Sequence, residues 1–218
     1  MNMLELVEGR NDPHIFKAVF MAGAPGSGKT TISSQLFEGT GLKTVNVDQF
    51  HSLYSKLRKK IPDNYYLRFW KTTVHQRNLF SNGRLGMVID STSRNLETTL
   101  EQKIMLEEMG YDTAMIFVNC SLQTALSRIA AREERTGRKV DTEYAKQAWR
   151  EVQGNVGHLQ SEFGGKFLVI DNSNSNQSDL RFAHQWVRNF INSPIKNPVA
   201  REWLQNMAKR NVDKSPSN

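Results

Sequence analysis

The chain is predicted to fold as an α/β domain in which a five-stranded parallel sheet carries helices on both faces. Five short apolar runs alternate with longer stretches whose apolar residues recur every three or four positions. Apolar strands separated by helical crossovers call for a parallel sheet covered on both sides. In addition, a glycine-rich turn opens directly after the first apolar run and leads into a helical pattern.

The elements follow in order. Lys17 to Met21 (KAVFM) reads as a buried strand. A helix runs from about Gly28 to Phe37, with Ile32 and Leu36 on one face, and Gly39 and Gly41 end it. Leu42 to Val47 is the second strand. One helix then covers Phe50 to Lys60 and stops before Pro62. Another starts at an N-cap Asp63, aligns Tyr66, Trp70 and Val74, and closes at Asn82-Gly83. Met87 to Asp90 (MVID) is the third strand. Asn95 caps a helix with Leu96, Leu100 and Ile104 in line, ending at Gly110. Thr113 to Asn119 is the fourth strand, and Ser121 caps a helix that turns Leu122, Leu126 and Ile129 inward. A charged stretch runs to about Lys139, and Asp141 starts a helix to about Gln153. Lys166 to Ile170 is the fifth strand. After the polar loop NSNSNQS, a helix over Asp179 to Asn192 places Leu180, Ala183 and Val187 on one face.

This gives one domain over residues 1–192 and a tail over 193–218. Pro194 and Pro198 interrupt the tail. Val199 to Arg210 is compatible with a short amphipathic helix through Val199, Trp203 and Met207, packed on its own domain or docked on a partner, and DKSPSN reads as disordered.

Composition narrows the class. The 218 residues are 38% hydrophobic and 23% charged, which fits a soluble globular protein with a sizeable core. The single cysteine, Cys120, excludes an intrachain disulfide and points to a reducing, cytoplasmic setting. No apolar run approaches the ~20 residues that span a bilayer, and the first residues, MNMLELVEGRND, lack the apolar core of a secretion signal. A net charge of +7 suits an anionic ligand or a nucleic acid.

The strongest motif is Gly23-Ala24-Pro25-Gly26-Ser27-Gly28-Lys29-Thr30, followed by Thr31. It satisfies G-x-x-x-x-G-K-[ST] between a strand and a helix. Glycines let the backbone wind so that N–H groups grip phosphate oxygens, and the helix start adds its positive dipole end. Lys29 then reaches the β- and γ-phosphates, and the Thr30 hydroxyl coordinates Mg²⁺.

Ligands of open α/β sheets bind at the carboxyl ends of the strands. Asp48, after the second strand, is placed to accept the proton of an attacking hydroxyl or to cap the following helix. His51, one turn later, is a candidate acceptor contact. Asp90 ends the third strand, where a carboxylate holds Mg²⁺. Thr92 and Arg94 follow it as candidate acceptor contacts. Between Arg128 and Lys139 the run RIAAREERTGRK sets Arg128, Arg132 and Arg135 on a shared helical face, with Gly137 before Arg138 and Lys139. A mobile segment over residues 128–140 that delivers arginines would neutralise a phosphoryl-transfer transition state. Arg132 and Arg138 are the choices made from the sequence.

Together GAPGSGKT, VNVDQF, VIDSTSRN and RIAAREERTGRKVD resemble the P-loop kinases of the zeta-toxin and phage polynucleotide-kinase type, over about Lys17 to Asp171. The first motif is specific for a nucleotide site. The other three are short and gain weight from their order. The resemblance implies a P-loop NTPase fold of the nucleoside/nucleotide-kinase kind, with ATP as donor and Mg²⁺ as cofactor. It implies an acceptor-side helical insertion over residues 50–82 and an arginine lid. It makes Asp48 the acceptor-activating aspartate, Asp90, Thr92 and Arg94 the acid-x-Thr-x-Arg stretch, and Arg132 and Arg138 lid arginines. His51 departs from the family by standing where an arginine commonly follows the aspartate.

The expected function is γ-phosphoryl transfer to a hydroxyl, on a polynucleotide 5′-end or a nucleotide. The alternatives are a sugar nucleotide, as in zeta toxins, and, in another class, a non-catalytic ATP-binding regulatory module. A motor ATPase ranks last. Partners are a nucleotide donor and a hydroxyl acceptor (nucleic acid or sugar nucleotide), with no membrane and no protein partner specified.

Overall fold

The structure is a computed structural model and describes residues 14–50, 53, 65–136, 140–173 and 177–212. Its strands are β1 (Lys17–Ala22), β2 (Lys43–Val45), β3 (Met87–Asp90), β4 (Asp112–Asn119) and β5 (Phe167–Asp171). They form one sheet in the order β2-β3-β1-β4-β5, with every neighbouring pair parallel. The helices are α1 (Lys29–Phe37), α2 (Tyr65–Asn82), α3 (Leu96–Glu108), α4 (Leu122–Thr136), α5 (Thr142–Phe163), α6 (Gln177–Asn192) and α7 (Pro198–Val212).

The central strands are buried along their whole length: every residue of β1, and β4 from Asp112 to Val118. Alternate residues feed two cores, one on each face. One gathers Phe16, Phe20, Met115 and Phe117 against Val152, Leu159 and Phe163 of α5. The other sets Val19, Met21, Ile116 and Val118 against Ile32 and Leu36 of α1 and Ala183 and Val187 of α6. Parallel register then brings every strand's carboxyl end to the same edge.

The expected caps form at Asn95, whose side chain accepts from the Thr98 N–H at 2.9 Å, and at Ser121, whose hydroxyl accepts from the Thr124 N–H at 3.1 Å. Three readings of helices need correction. The helix expected to stop near Gln153 continues to Phe163. Gly154 and Gly157 do not break it because Val152, Leu159 and Phe163 keep the inward stripe going, while a Cβ on either glycine would meet open space. On α2, Trp70 is 47% exposed, and Phe69 and Thr73, one residue round from the expected stripe, are buried in place of it. On α3, Ile104 is 52% exposed, and Thr99 and Leu106 are buried instead. The helix expected over Phe50 to Lys60 lies mostly outside the described residues.

The amino edge of the sheet is closed by a buried ionic cluster. Lys17 donates to Asp112 at 2.9 Å and to the Ser193 hydroxyl at 3.0 Å. Asp112 also accepts the backbone N–H groups of Lys196 and Asn197, each at 3.0 Å. The Asn197 side chain donates to the carbonyls of Glu107 and Tyr111, at 2.7 and 3.2 Å. These bonds anchor the segment that leads into α7. Ala200 of that helix is fully buried, and Trp203 meets Phe16 edge-on with Arg84 over its ring. The helix therefore packs on its own domain.

Candidate active site

The phosphate loop spans the turn from β1 into α1, at the carboxyl edge. Gly26 and Gly28 have φ of 80° and 90°, and a Cβ there would lie 2.3 Å from the Ala125 carbonyl oxygen and from Asn172 Nδ2 respectively. Only glycine meets both the angle and the clearance. Ala24 and Ser27 are buried, Pro25 is half-buried, and Thr30 and Thr31 are exposed. Lys29 folds over the loop and donates to the carbonyls of Gly23 and Ala24, at 2.6 and 3.4 Å. Burial pulls its ammonium below the ordinary lysine range, against the charges of Asp90 and Asp48. The Ser27 hydroxyl is buried with no hydrogen-bond partner among the described residues. An unsatisfied buried hydroxyl inside a glycine cradle fits a phosphate ligand.

The carboxylates stand beside the loop. Asp90 ends β3, half-buried, and burial raises its pKa above the usual carboxylate value although Lys29 pulls it down. Asp48 is exposed at the start of a helical segment beyond β2. Sequence reasoning missed the residue that joins them. Asn46 donates through Nδ2 to Asp90 at 2.7 Å, and its Oδ1 accepts the Asp48 N–H at 2.7 Å. Asn46 thus makes the side-chain turn at the head of that helical segment, and it registers the two acids against each other. Position alone, two residues before the aspartate, is the sequence signal for such an Asx turn. His51 lies outside the described residues.

The turn after β3 is tied to the phosphate loop, since the Gly23 N–H donates to the Thr92 carbonyl at 3.3 Å. Thr92 and Arg94 are half-buried. Arg94 is ion-paired through Nε to Glu151 of α5, Nη2 reaches the same carboxylate at 3.3 Å, and Cζ stacks over the Tyr144 ring at 5.0 Å. The pairing raises the Arg94 pKa and lowers that of Glu151.

Among the arginines Arg128 also reaches the loop, and the charge of Arg132 is felt at Lys29. Arg128 donates to the carbonyls of Ser27 at 3.3 Å and Asn172 at 2.7 Å, and Asn172 itself donates to the Ser27 carbonyl at 2.7 Å. Arg132 sits one turn further along α4, half-buried, Arg135 is exposed, and Arg138 lies outside the described residues. Residues 128–136 are a continuous part of α4. Between α1, Arg128 and the end of β5 lies a cavity of about 280 Å³, lined by Gly28, Thr31, Gln35, Asp171, Asn172 and Leu180 among others. It lies beside the first turns of α1. Asn172 gave no motif signal, because its role depends on a strand far away in sequence.

The zeta toxin family model matches residues 8–180. The chain belongs to the zeta toxin family. A curated relative, Toxin zeta of Enterococcus hirae, is 29% identical over 126 residues, covering 52% of this chain and 43% of the relative. The match thus spans less than half of that protein. Among solved structures, the PezAT chromosomal toxin-antitoxin system of Streptococcus pneumoniae aligns with a TM-score of 0.57 at 18% identity, over 94% of this chain and 90% of that one. A chain of the Pnkp1/Rnl/Hen1 RNA repair complex aligns with a TM-score of 0.56 at 21% identity, over 72% of this chain and 49% of that one. At those identities the likeness is one of fold, and the fold is that of P-loop kinases. No helix among the described residues is long and apolar enough to cross a membrane.

Proposed function

We propose that this chain is a Mg²⁺-dependent kinase that transfers the γ-phosphoryl group of ATP to a hydroxyl of a sugar nucleotide. The observation that carries the reading is the meeting, on one sheet edge, of a complete phosphate loop with Asp90, whose carboxylate Asn46 binds, and Asp48, whose backbone N–H the same Asn46 accepts. We rank a sugar nucleotide ahead of a polynucleotide 5′-hydroxyl because that acceptor is the one the resemblance to zeta toxins implies, and the family model matches residues 8–180. The basic balance of +7 and the fold shared with an RNA repair chain keep the polynucleotide as the second reading.

In this reading the loop N–H groups and Lys29 hold the donor's phosphates. Lys29 exchanges its bonds to the Gly23 and Ala24 carbonyls for phosphate oxygens, so the loop is already shaped for the ligand. Thr30 and Asp90 would hold Mg²⁺, which when bound neutralises charge on the phosphate oxygens. Asp48 takes the acceptor hydroxyl proton as that oxygen bonds to the γ-phosphorus and the bond to the β–γ bridging oxygen breaks, releasing ADP. Thr92 and Arg94 orient the acceptor, and His51 keeps the acceptor-contact role expected from the sequence. Arg132 and Arg138 close over the transferring group, while Arg128 and Asn172 brace the loop.

The test is transfer from γ-labelled ATP with Mg²⁺ to UDP-N-acetylglucosamine and, separately, to a 5′-hydroxyl oligonucleotide. Label on the sugar nucleotide that falls about 10²–10⁴-fold in Asp48→Asn, with ATP binding retained, is the expected result. Label on the oligonucleotide alone would establish the second reading. ATP binding without transfer to either would favour a non-catalytic binding module.

A further inference from the structure

We propose that Asn155 is a positioning residue for the acceptor: it clamps the β3 turn in the conformation that presents Thr92 and Arg94 to the crevice. Its kinetic consequence rests on the kinase reading above.

The turn has a conformational problem. Ser93 lies between the two candidate acceptor contacts with φ of 51°, the left-handed region that non-glycine residues avoid, and it is 97% buried, being only 3% exposed. A strained residue persists where its surroundings over-determine it. Asn155 Nδ2 does this directly, donating to the carbonyl of Ser93 at 3.1 Å and to that of Arg94 at 2.8 Å. One amide group therefore fixes the peptide planes on both sides of the Arg94 Cα. The opposite side of the turn is fixed by Gly23 and Met21, through the bonds Gly23 N–H to Thr92 O and Ser91 N–H to Met21 O.

The clamp is set on a rigid base. Tyr144, Glu151 and Asn155 fall seven and then four residues apart, on one stripe of α5, and all three contact Arg94. The same helix is bound to the tip of β4, by Trp149 Nε1 donating to the Cys120 carbonyl at 3.0 Å and Gln153 Nε2 donating to Asn119 Oδ1 at 2.7 Å. Helix α5 thus spans the carboxyl edge from β4 to the β3 turn. Tyr144 and Glu151 aim the Arg94 guanidinium, whereas Asn155 holds the backbone that carries it.

The experiment compares wild type with Asn155→Ala, Ser93→Gly and the double variant. Hydrogen exchange of the backbone amides at residues 91–95 should speed up in Asn155→Ala while amides of β1 and β4 stay protected. This readout needs no acceptor, so it separates the clamp from the kinase reading. With ATP and UDP-N-acetylglucosamine, or the 5′-hydroxyl oligonucleotide if that is the one labelled, Asn155→Ala should raise the acceptor KM about tenfold and leave the ATP KM within about twofold. Glycine adopts positive φ freely, so Ser93→Gly should restore a good part of the acceptor KM in the Asn155→Ala background. Unchanged exchange at 91–95 would overturn the proposal. So would an equal loss for ATP and acceptor, or a double variant no better than Asn155→Ala.

Discussion

The two ends of the sheet each carry a lysine–aspartate constellation, and they are put to opposite use. At the amino edge Lys17 and Asp112 are both buried, and the carboxylate is saturated by the lysine and two backbone N–H groups. At the carboxyl edge Lys29 feels the charges of Asp90 and Asp48 and donates to carbonyls of its own loop, and the Ser27 hydroxyl of that loop has no hydrogen-bond partner among the described residues. Burial pushes the Asp112 carboxyl up, but the Lys196 N–H and Lys17 outweigh it and hold the group below the usual range. Asp90 is held above it. Residue type does not separate a structural pair from a reactive one. The supply of hydrogen-bond partners does: a saturated cluster has nothing left to offer a ligand, and an unsaturated one waits for it.

Breaking each end should therefore give opposite phenotypes. The largest effect is expected from Lys29→Ala, which should lower phosphoryl transfer about 10³-fold or more, equivalent to ~4 kcal/mol of barrier. The thermal midpoint of the ligand-free protein should move little, and a large fall in that midpoint would mean that Lys29 is a structural group. At the other edge, Asp112→Ala should cost about 3–5 kcal/mol in urea unfolding, because it strands the buried Lys17 charge. Transfer by the fraction that stays folded should be near normal. Loss of turnover without loss of stability would contradict the division between the edges.

The amino-edge pair also has a pH signature. A carboxyl with a depressed pKa stabilises the fold above its unfolded value, ~3.9 for aspartate, and that stabilisation is lost as pH falls through the folded value. The gap in urea midpoint between wild type and Asp112→Asn should therefore be constant from pH 7 to about 5 and narrow below about 4. A gap that does not narrow at all as pH falls below about 4 would mean that the charge of Asp112 is not what matters. The smallest effect is expected from Arg128→Ala. Its two bonds brace the phosphate loop, so the ATP KM should rise about tenfold with little change in the acceptor KM. An acceptor-side effect would move Arg128 into the lid role expected of Arg132.

Legibility in the sequence followed the range of the interaction. The phosphate loop could be read completely, because consecutive residues build it. The caps at Asn95 and Ser121 were legible for the same reason. Helix faces were less so. Periodicity placed Trp70 and Ile104 inward, but neighbours of similar character one or two positions away, Phe69 and Leu106, hold those places. The helix expected to stop near Gln153 runs on through Gly154 and Gly157, since a glycine's cost is local while the packing that overrides it comes from other elements. Glu151, Asn155 and Asn172 carried no motif at all, and Asn46 sat within VNVDQF without being singled out, though all four set the geometry around the loop.

By itself, then, the sequence determined the α/β class, the order of the strands along the chain, the nucleotide loop and the carboxylates at the tips of β2 and β3. These follow from local propensity, apolar period and the rule that parallel strands present one edge to a ligand. Only the tertiary structure decided which arginine braces the loop, which carboxylate Arg94 meets, and that the tail helix is part of the domain. Each of those depends on partners tens of residues away, such as Ser27 for Arg128, Glu151 for Arg94 and Asp112 for Lys196. A hydrogen bond is specified by where its two ends arrive in space, and the packing of the sheet and helices sets that arrival.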